Sequence, residues 1–138
     1  MGSVSFTSDD GLVRVPVLVW GDGREMSSLS FVVDTGAPRT LLDVEAAQSL
    51  GLAPERSVRR SRVLTAVGAE EGYVVVVRRI RGLGWERGGF EIACHQLATN
   101  AQVDGLLGAD FFAGLVLSVN YAAGTVSLTE PAPTDRSE

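Results

Sequence analysis

Lysine is absent from this chain of 138 residues: all 12 basic residues are Arg, and they face 17 acidic residues, giving a formal net charge of −5. A protein that binds nucleic acid needs cationic patches to meet the phosphates. Two basic clusters, residues 59–62 and 78–81, lie in strand-like sequence, where outward charges keep a strand soluble. The charge pattern therefore predicts no nucleic-acid partner.

Cysteine and histidine are nearly absent, with one of each, the adjacent Cys94 and His95. No internal disulfide can form, and neighbours on a strand point to opposite faces, so the two do not predict a catalytic pair. A zinc site would need carboxylates at spacings the chain lacks, and no nucleophile-elbow motif is present. We expect no metal or cofactor, a buried Cys94 and a His95 in a loop.

Long apolar runs are missing too. No segment approaches the roughly 20 apolar residues of a membrane span, and no basic-then-apolar leader precedes the domain. These features predict a soluble, cytoplasmic protein without a membrane partner. The 45% apolar and 21% charged residues suit one compact core. We expect an N-terminal segment at 1–10, a domain at 11–130 and a disordered tail at 131–138.

Strand signals dominate the domain, and they favour an all-β fold of barrel or sandwich type. One helix is predicted between Asp43, which can cap it, and Gly51, which can end it before Pro54. The predicted strands are residues 12–20, with an edge or bulge at Pro16, then 28–33, 57–66, 72–80 and 90–94, a strand with a short helical turn at 103–112, and a closing hairpin at 115–120 and 125–128.

The first candidate functional motif is Asp34-Thr35-Gly36-Ala37, which directly follows the apolar residues 31–33. A carboxylate at the end of a buried strand is costly unless it is paired or hydrogen-bonded, and Gly36 lets another chain approach the backbone. The three letters Asp-Thr-Gly also occur at ordinary strand–turn junctions, so alone they leave a polar turn and a catalytic site equally open.

Further along stands a second motif, Leu106-Leu107-Gly108, and a glycine-bearing hairpin segment at 65–68 lies between the two. In this order the motifs resemble those of the retropepsin-like aspartic proteases, over roughly residues 10–130. The resemblance implies a small closed-barrel-like retropepsin (acid protease) fold with one helix and a flap hairpin. It also implies an aspartic endopeptidase that acts as a homodimer on peptide or protein substrates.

The resemblance implies a role for each matching position. Asp34 matches the catalytic aspartate, and Thr35 matches the threonine whose hydroxyl bonds across the two-fold axis. Residues expected to support the active site are Thr35, Gly36, Leu106, Leu107 and Gly108. Residues expected to bind substrate are Gly36 and Ala37 beside its backbone, and Ala66, Val67 and Gly68 at the tip of the flap.

One departure from the family pattern concerns the dimer. Retroviral members carry an acidic residue after the first motif and an Arg after the later Gly, and these form a salt bridge. Here those positions hold Pro38 and Ala109. We hypothesise that Arg39 and Asp110 replace the bridge; otherwise Asp110, like Asp104, is interpreted as a turn or helix-start residue.

The presence of a single Asp-Thr-Gly motif also bears on how many chains form one active site. Hydrolysis without a metal or covalent nucleophile needs one group to activate water and another to protonate the carbonyl, and two carboxylates sharing a proton can do both. With one Asp34 per chain, a two-fold axis must bring the second. The alternative is a non-catalytic dimerisation or peptide-binding module that keeps the fold, although the intact motif favours the enzyme.

Overall fold

The computed structural model describes residues 2–7, 10–23, 25–65, 68–97 and 102–133. Within them the chain forms ten strands, two short α-helices and one 3₁₀ turn. In chain order these are β1 (Ser3–Ser5), β2 (Arg14–Trp20), β3 (Met26–Val33), β4 (Leu41–Asp43), α1 (Val44–Ser49), the 3₁₀ turn (Pro54–Arg56), β5 (Arg59–Thr65), β6 (Gly68–Gly82), β7 (Trp85–His95), β8 (Gly105–Leu107), α2 (Ala109–Phe112), β9 (Val116–Asn120) and β10 (Thr125–Thr129).

Six of the strands close into a barrel in the order β2-β3-β8-β4-β7-β6, because β6 returns to pair with β2. The pairs β3–β8 and β4–β7 are parallel, and the other barrel pairs are antiparallel. Among the described strands, β5 pairs only with β6. The β5–β6 hairpin therefore extends from the closed barrel, and the predicted all-β barrel fold is confirmed.

The core follows the two-residue alternation of a strand, in which successive side chains point to opposite faces. Val15, Val17 and Val19 of β2 are buried, while Pro16 between them is exposed. Pairing of β2 with β6 starts only at Val17, so Pro16 occupies an edge position where its missing N–H is tolerated, as predicted. Phe111 of α2 closes one end of this core and is fully buried.

Helix α1 matches its prediction at both ends. The Asp43 carboxylate accepts a hydrogen bond from the Glu45 backbone N–H at 3.1 Å, which satisfies one of the unpaired donors of the first turn. Gly51 follows the helix with φ of +75°, a conformation that glycine adopts without strain. The helix sits on the barrel through the buried Ala47 and Leu50.

The β5–β6 hairpin differs from its prediction in two respects. Residues 66–72 were expected to connect its arms, but β6 already begins at Gly68, and Glu70 and Glu71 pair with Val63 and Arg62 of β5. The long antiparallel ladder continues through these acidic residues because their side chains stay exposed. The apolar run 73–77 was expected to be covered on both faces, yet Val76 is 44% exposed.

Strand β7 runs further than the sequence suggests. It includes His95, which lies opposite Asp43 of β4 and is only 2% exposed, so the prediction of a loop histidine is wrong. The prediction failed because pairing with β4 on one side and β6 on the other extends the strand past its apolar signal. Cys94 is fully buried, as expected.

A second, smaller sheet has the order β1-β10-β9. The sequence does not predict β1, which pairs Ser3–Ser5 with residues 125–127 of β10. The β9–β10 hairpin closes through a turn in which the Asn120 side chain accepts a hydrogen bond from the Ala123 N–H at 2.9 Å. The domain limits stay a prediction, and residues 134–138 lie outside the described part of the chain.

Glycine 72 offers a test of the close packing between the hairpin and the barrel. A Cβ there would lie 2.1 Å from the Cys94 carbonyl oxygen and 2.7 Å from the His95 ring, so the backbone would have to move. We expect Gly72→Ala to lower the free energy of unfolding by about 1–3 kcal/mol, measured by urea denaturation.

The matched control for this test is Gly88→Ala on β7. Its Cβ would meet nothing closer than the Arg78 carbonyl oxygen at 3.6 Å, an ordinary contact. This variant should unfold within about 1 kcal/mol of the wild type. Equal destabilisation by the two substitutions would show that the approach of Gly72 to β7 is not the constraint.

Candidate active site

Asp34 lies at the end of β3, where the chain leaves the barrel wall. Its backbone N–H donates to the Leu107 carbonyl at 2.9 Å, which continues the parallel β3–β8 pairing by one residue. Its half-buried carboxylate accepts a hydrogen bond from the Gly36 N–H at 3.1 Å, and the Ala37 N–H donates to its carbonyl at 3.1 Å. A tight turn on a barrel strand thus fixes the Asp34 side chain.

Gly108 brings a second chain segment against this turn. The N–H of Ala109 donates to the Ala37 carbonyl at 2.8 Å. A Cβ on Gly108 would stand 2.4 Å from the Arg39 carbonyl carbon and 2.8 Å from the Ala37 oxygen. Only glycine permits this approach, so residues 106–108 contact the Asp34 turn directly.

Thr40 links the two segments through a buried hydrogen-bond network. Its hydroxyl donates to the Asp110 carboxylate at 2.7 Å and accepts from the Gly108 N–H at 3.1 Å. The Thr40 N–H donates to the same Asp110 oxygen at 2.9 Å. Thr40 is fully buried, and unsatisfied polar groups at such a site would be costly.

The hypothesised pair of Arg39 and Asp110 is not found among the described residues. Asp110 sits in the first turn of α2, as expected, and its carboxylate faces Thr40. The Arg39 guanidinium lies 3.6 Å from the Glu91 carboxylate on β7. The Asp110 carboxylate is therefore bonded by the neutral hydroxyl of Thr40 and not by the Arg39 guanidinium.

Between this turn and strand β5 lies a cleft of about 560 Å³. Apolar side chains dominate its lining. The lining residues are Gly36, Ala37, Pro38, Arg39, Leu41, Ser61, Arg62, Val63, Leu64, Ala93 and Leu106. Gly36 and Ala37, predicted to bind substrate, are thus in the wall of a real cavity.

Leu106 lines the cleft rather than lying only beneath the Asp34 turn. It is half-buried, whereas its neighbours Gly105 and Leu107 are buried. The alternation of a strand could have indicated this, since Leu106 and Leu107 must point to opposite faces. Leu41 and the β5 residues were not predicted to lie in the site, because their place in the cleft depends on how β4 and β5 pair.

The predicted flap tip is only partly within the described structure. Gly68 starts β6 opposite Thr65, with φ of +135°. Ala66 and Val67 lie outside the described residues. The catalytic, supporting and substrate-binding roles assigned from the sequence stay predictions.

His95 lies under the cleft wall. Its Nε2 is 2.8 Å from the hydroxyl of Ser61, which lines the cleft, and its buried Nδ1 has no hydrogen-bond partner among the described residues. Burial lowers the pKa of His95, an effect that the charge of Glu70 partly opposes. Burial under β5 therefore favours the neutral form of the ring.

Neither Cys94 nor Tyr73 supplies a reactive group. Burial raises the pKa of the Cys94 thiol to about 12, although the nearby Tyr73 hydroxyl lowers it in part. Burial also raises the pKa of Tyr73 to about 12, and its hydroxyl donates to the Leu52 carbonyl at 2.8 Å. A thiol nucleophile must be ionised, so Cys94 has a packing role.

Within the described ranges, no group of three or more His, Cys, Asp or Glu side chains could hold a metal ion. No helix in the same part of the chain is both long and apolar enough to cross a membrane.

Comparison with known proteins agrees with this geometry. A family model described as aspartyl protease matches residues 15–111, well over half of the chain. The chain therefore belongs to the aspartyl protease family. A comparison with curated protein sequences gives no match.

Forty-nine solved chains resemble this one. Among them is the crystal structure of a retropepsin-like aspartic protease from Rickettsia conorii, with a TM-score of 0.69 over 93% of this chain and 89% of that one. Its sequence identity is 19%, so the likeness establishes a retropepsin-like fold. The resemblance inferred from the sequence motifs is confirmed.

The Thr40 network can be tested by removing one hydroxyl. Thr40→Val keeps the shape but leaves the Gly108 N–H and one bond of the Asp110 carboxylate unsatisfied in a buried site. We expect the free energy of unfolding to fall by about 1–3 kcal/mol in urea denaturation. Thr40→Ser retains the hydroxyl and should lose clearly less; a loss as large as that of Thr40→Val would show that packing around residue 40, and not the hydrogen bonds of its hydroxyl, sets the stability.

His95 predicts a pH-dependent loss of stability. Well above about pH 6.5 the histidine is neutral in both the folded and the unfolded chain, so it gives stability no dependence on pH there. Below that value the unfolded chain takes up a proton that the buried ring resists, because burial lowers its folded pKa. Stability should then fall with pH, by at most about 1.4 kcal/mol per pH unit.

The measurement is urea unfolding between about pH 7 and pH 5, where the unfolded His95 titrates. His95 is the only histidine, so a His95→Asn variant isolates its contribution. The difference in stability between wild type and variant should shrink as the pH falls. A constant difference would mean that the ring takes up its proton as readily in the folded chain as in the unfolded one.

Proposed function

We propose that the protein is an aspartic endopeptidase that acts as a homodimer, with Asp34 of each subunit forming one half of the catalytic pair. One carboxylate activates water, and the other, protonated, donates to the carbonyl oxygen of the scissile peptide bond. Two carboxylates close together cannot both ionise readily, which gives the pair its division into acid and base.

The observation that carries the proposal concerns the lining of the cleft beside Asp34. Among the described residues that line it, none is Asp or Glu, so none supplies a second carboxylate. Asp110, the acidic residue nearest in the supporting segment, is occupied by two hydrogen bonds from Thr40. The partner carboxylate must therefore come from a second copy, related by two-fold symmetry.

Thr35 supports the same arrangement. It is exposed, and its hydroxyl makes no hydrogen bond within the described residues. In the proposed dimer this hydroxyl bonds across the two-fold axis and braces the two Asp34 turns, as the family resemblance implies. Gly36 and Ala37 then border the substrate backbone.

The proposed substrate is an extended peptide with apolar side chains. The cleft lies between the Asp34 turn and strand β5, so a peptide there is held from both sides. An extended chain can form strand-like hydrogen bonds with such walls. The β5–β6 hairpin takes the part of the flap in this proposal.

A non-catalytic dimerisation or peptide-binding module is the second candidate. The cleft alone is compatible with it, because a fold does not fix an activity. The carboxylate of Asp34, held at the end of a strand by Gly36, favours the enzyme. A scaffold has no use for paired acids at its interface.

Cleavage of a diverse peptide mixture tests the proposal. Wild type at high concentration should cut peptides at acidic to neutral pH, and Asp34→Asn should lose at least about 99% of this activity because a shared proton is no longer available. Mass spectrometry of the products reads the cut sites. The specific activity should fall on dilution as the dimer dissociates.

Asp22→Asn serves as the matched control, since Asp22 pairs with Arg56 in an exposed ion pair outside the cleft. It should cleave as the wild type does. If wild type and Asp34→Asn both failed to cut while forming dimers, the binding module would replace the enzyme as the proposed function.

A further inference from the structure

The cleft has a charge opposite to that of the whole chain. The net charge of the protein is −5, yet the described residues that line the cleft include two arginines, Arg39 and Arg62, and no acidic side chain. Charged groups around a cleft raise the local concentration of ligands of opposite sign. The lining therefore favours an anionic group.

Arg39 is only partly neutralised by its neighbour. A single oxygen of Glu91 lies 2.5 Å from the Arg59 guanidinium and 3.6 Å from that of Arg39. The hydrogen bond from Arg59, with a smaller effect of Arg39, lowers the pKa of Glu91. Glu91 thus pairs mainly with Arg59. The Arg39 side chain is 57% exposed and retains N–H donors for another anion.

Arg62 lies on the other side of the cleft, on strand β5. Its side chain is exposed and forms no hydrogen bond or ion pair with any described residue. Glu71 stands opposite it in the β5–β6 register without forming an ion pair. Arg62 and Arg39 therefore place positive charge that is not fully neutralised on both walls of the cleft.

The rest of the lining is apolar. Leu41 and Leu106 are register partners on β4 and β8 and form the floor with Ala93 of β7. Such a surface stabilises an aliphatic or aromatic side chain by removing it from water. Polar groups at the edge of an apolar site then fix which ligand is accepted.

We propose that the cleft selects peptides that carry an acidic side chain beside an apolar one, with Arg39 and Arg62 receiving the carboxylate. The inference rests on the proposed function, since it takes the cleft as a peptide site, and it adds the class of peptide. Guanidinium groups bind carboxylates through paired N–H donors. Partly exposed ion pairs of this kind change affinity by up to about fivefold.

An affinity selection tests the charge preference without requiring catalysis. The probe is an equimolar library of octapeptides with a central Leu-Phe pair and Glu, Gln or Lys scanned through the other positions. The bait is the dimeric Asp34→Asn protein at about pH 6, where a peptide Glu is ionised. Mass spectrometry of the retained peptides should show Glu over Gln by about fivefold at one position, less at high salt.

Substitutions identify the residues responsible. Arg39→Gln and Arg62→Gln should each weaken the preference for Glu, and Arg62→Glu should shift it towards Lys. Arg60→Gln is the matched control, because Arg60 is exposed on the same strand but does not line the cleft. It should retain the full preference.

Three results would overturn the inference. These are equal retention of Glu and Gln peptides, a Glu preference that survives in the Arg39→Gln/Arg62→Gln double variant, and retention of no peptide at all. Cleavage of the same library by wild type separates the two proposals. Cleavage without a Glu preference would support the proposed protease and contradict the proposed selectivity. Selective retention without cleavage would support the selectivity and contradict the protease.

Discussion

The candidate site depends on one steric constraint, the contact of two backbone segments at Gly108. No side chain fits between this residue and the carbonyl groups of Ala37 and Arg39. The contact puts the start of α2 within reach of Thr40, whose hydroxyl then joins both segments in a buried network. Because Asp34 belongs to the same turn, its position is set by barrel geometry, which suits the catalytic role proposed for it.

Much of the fold could be predicted because its signals are local. The strand 12–20 shows as β-branched residues, helix α1 shows its cap at Asp43 and its end at Gly51, and the final hairpin shows its turn. The Asp34 and Gly108 motifs predicted the site only when taken together, since each alone is a short match. Their contact follows from the parallel pairing of β3 with β8.

The features that escaped prediction are those created by pairing between distant segments. The burial of His95 requires β4 and β6 on both sides of β7. The Thr40–Asp110 network joins side chains that nothing in the local sequence relates, and within the described chain Asp110 bonds Thr40 where the sequence suggested Arg39. The cleft, likewise, exists only because β5 leaves the barrel and stands over the Asp34 turn.

The strands that carry the floor of the cleft, β4 and β8, also share the shortest ladder of the barrel. Strands β4 and β8 meet only where Leu41 faces Leu106 and Leu42 faces Gly105, whereas β6 and β7 pair along most of their length. Short ladders open at lower free energy than long ones. The amide protons of the β4–β8 ladder are therefore natural reporters of occupancy: a molecule seated on Leu41 and Leu106 would slow their exchange with deuterated solvent, while leaving the β6–β7 ladder unchanged.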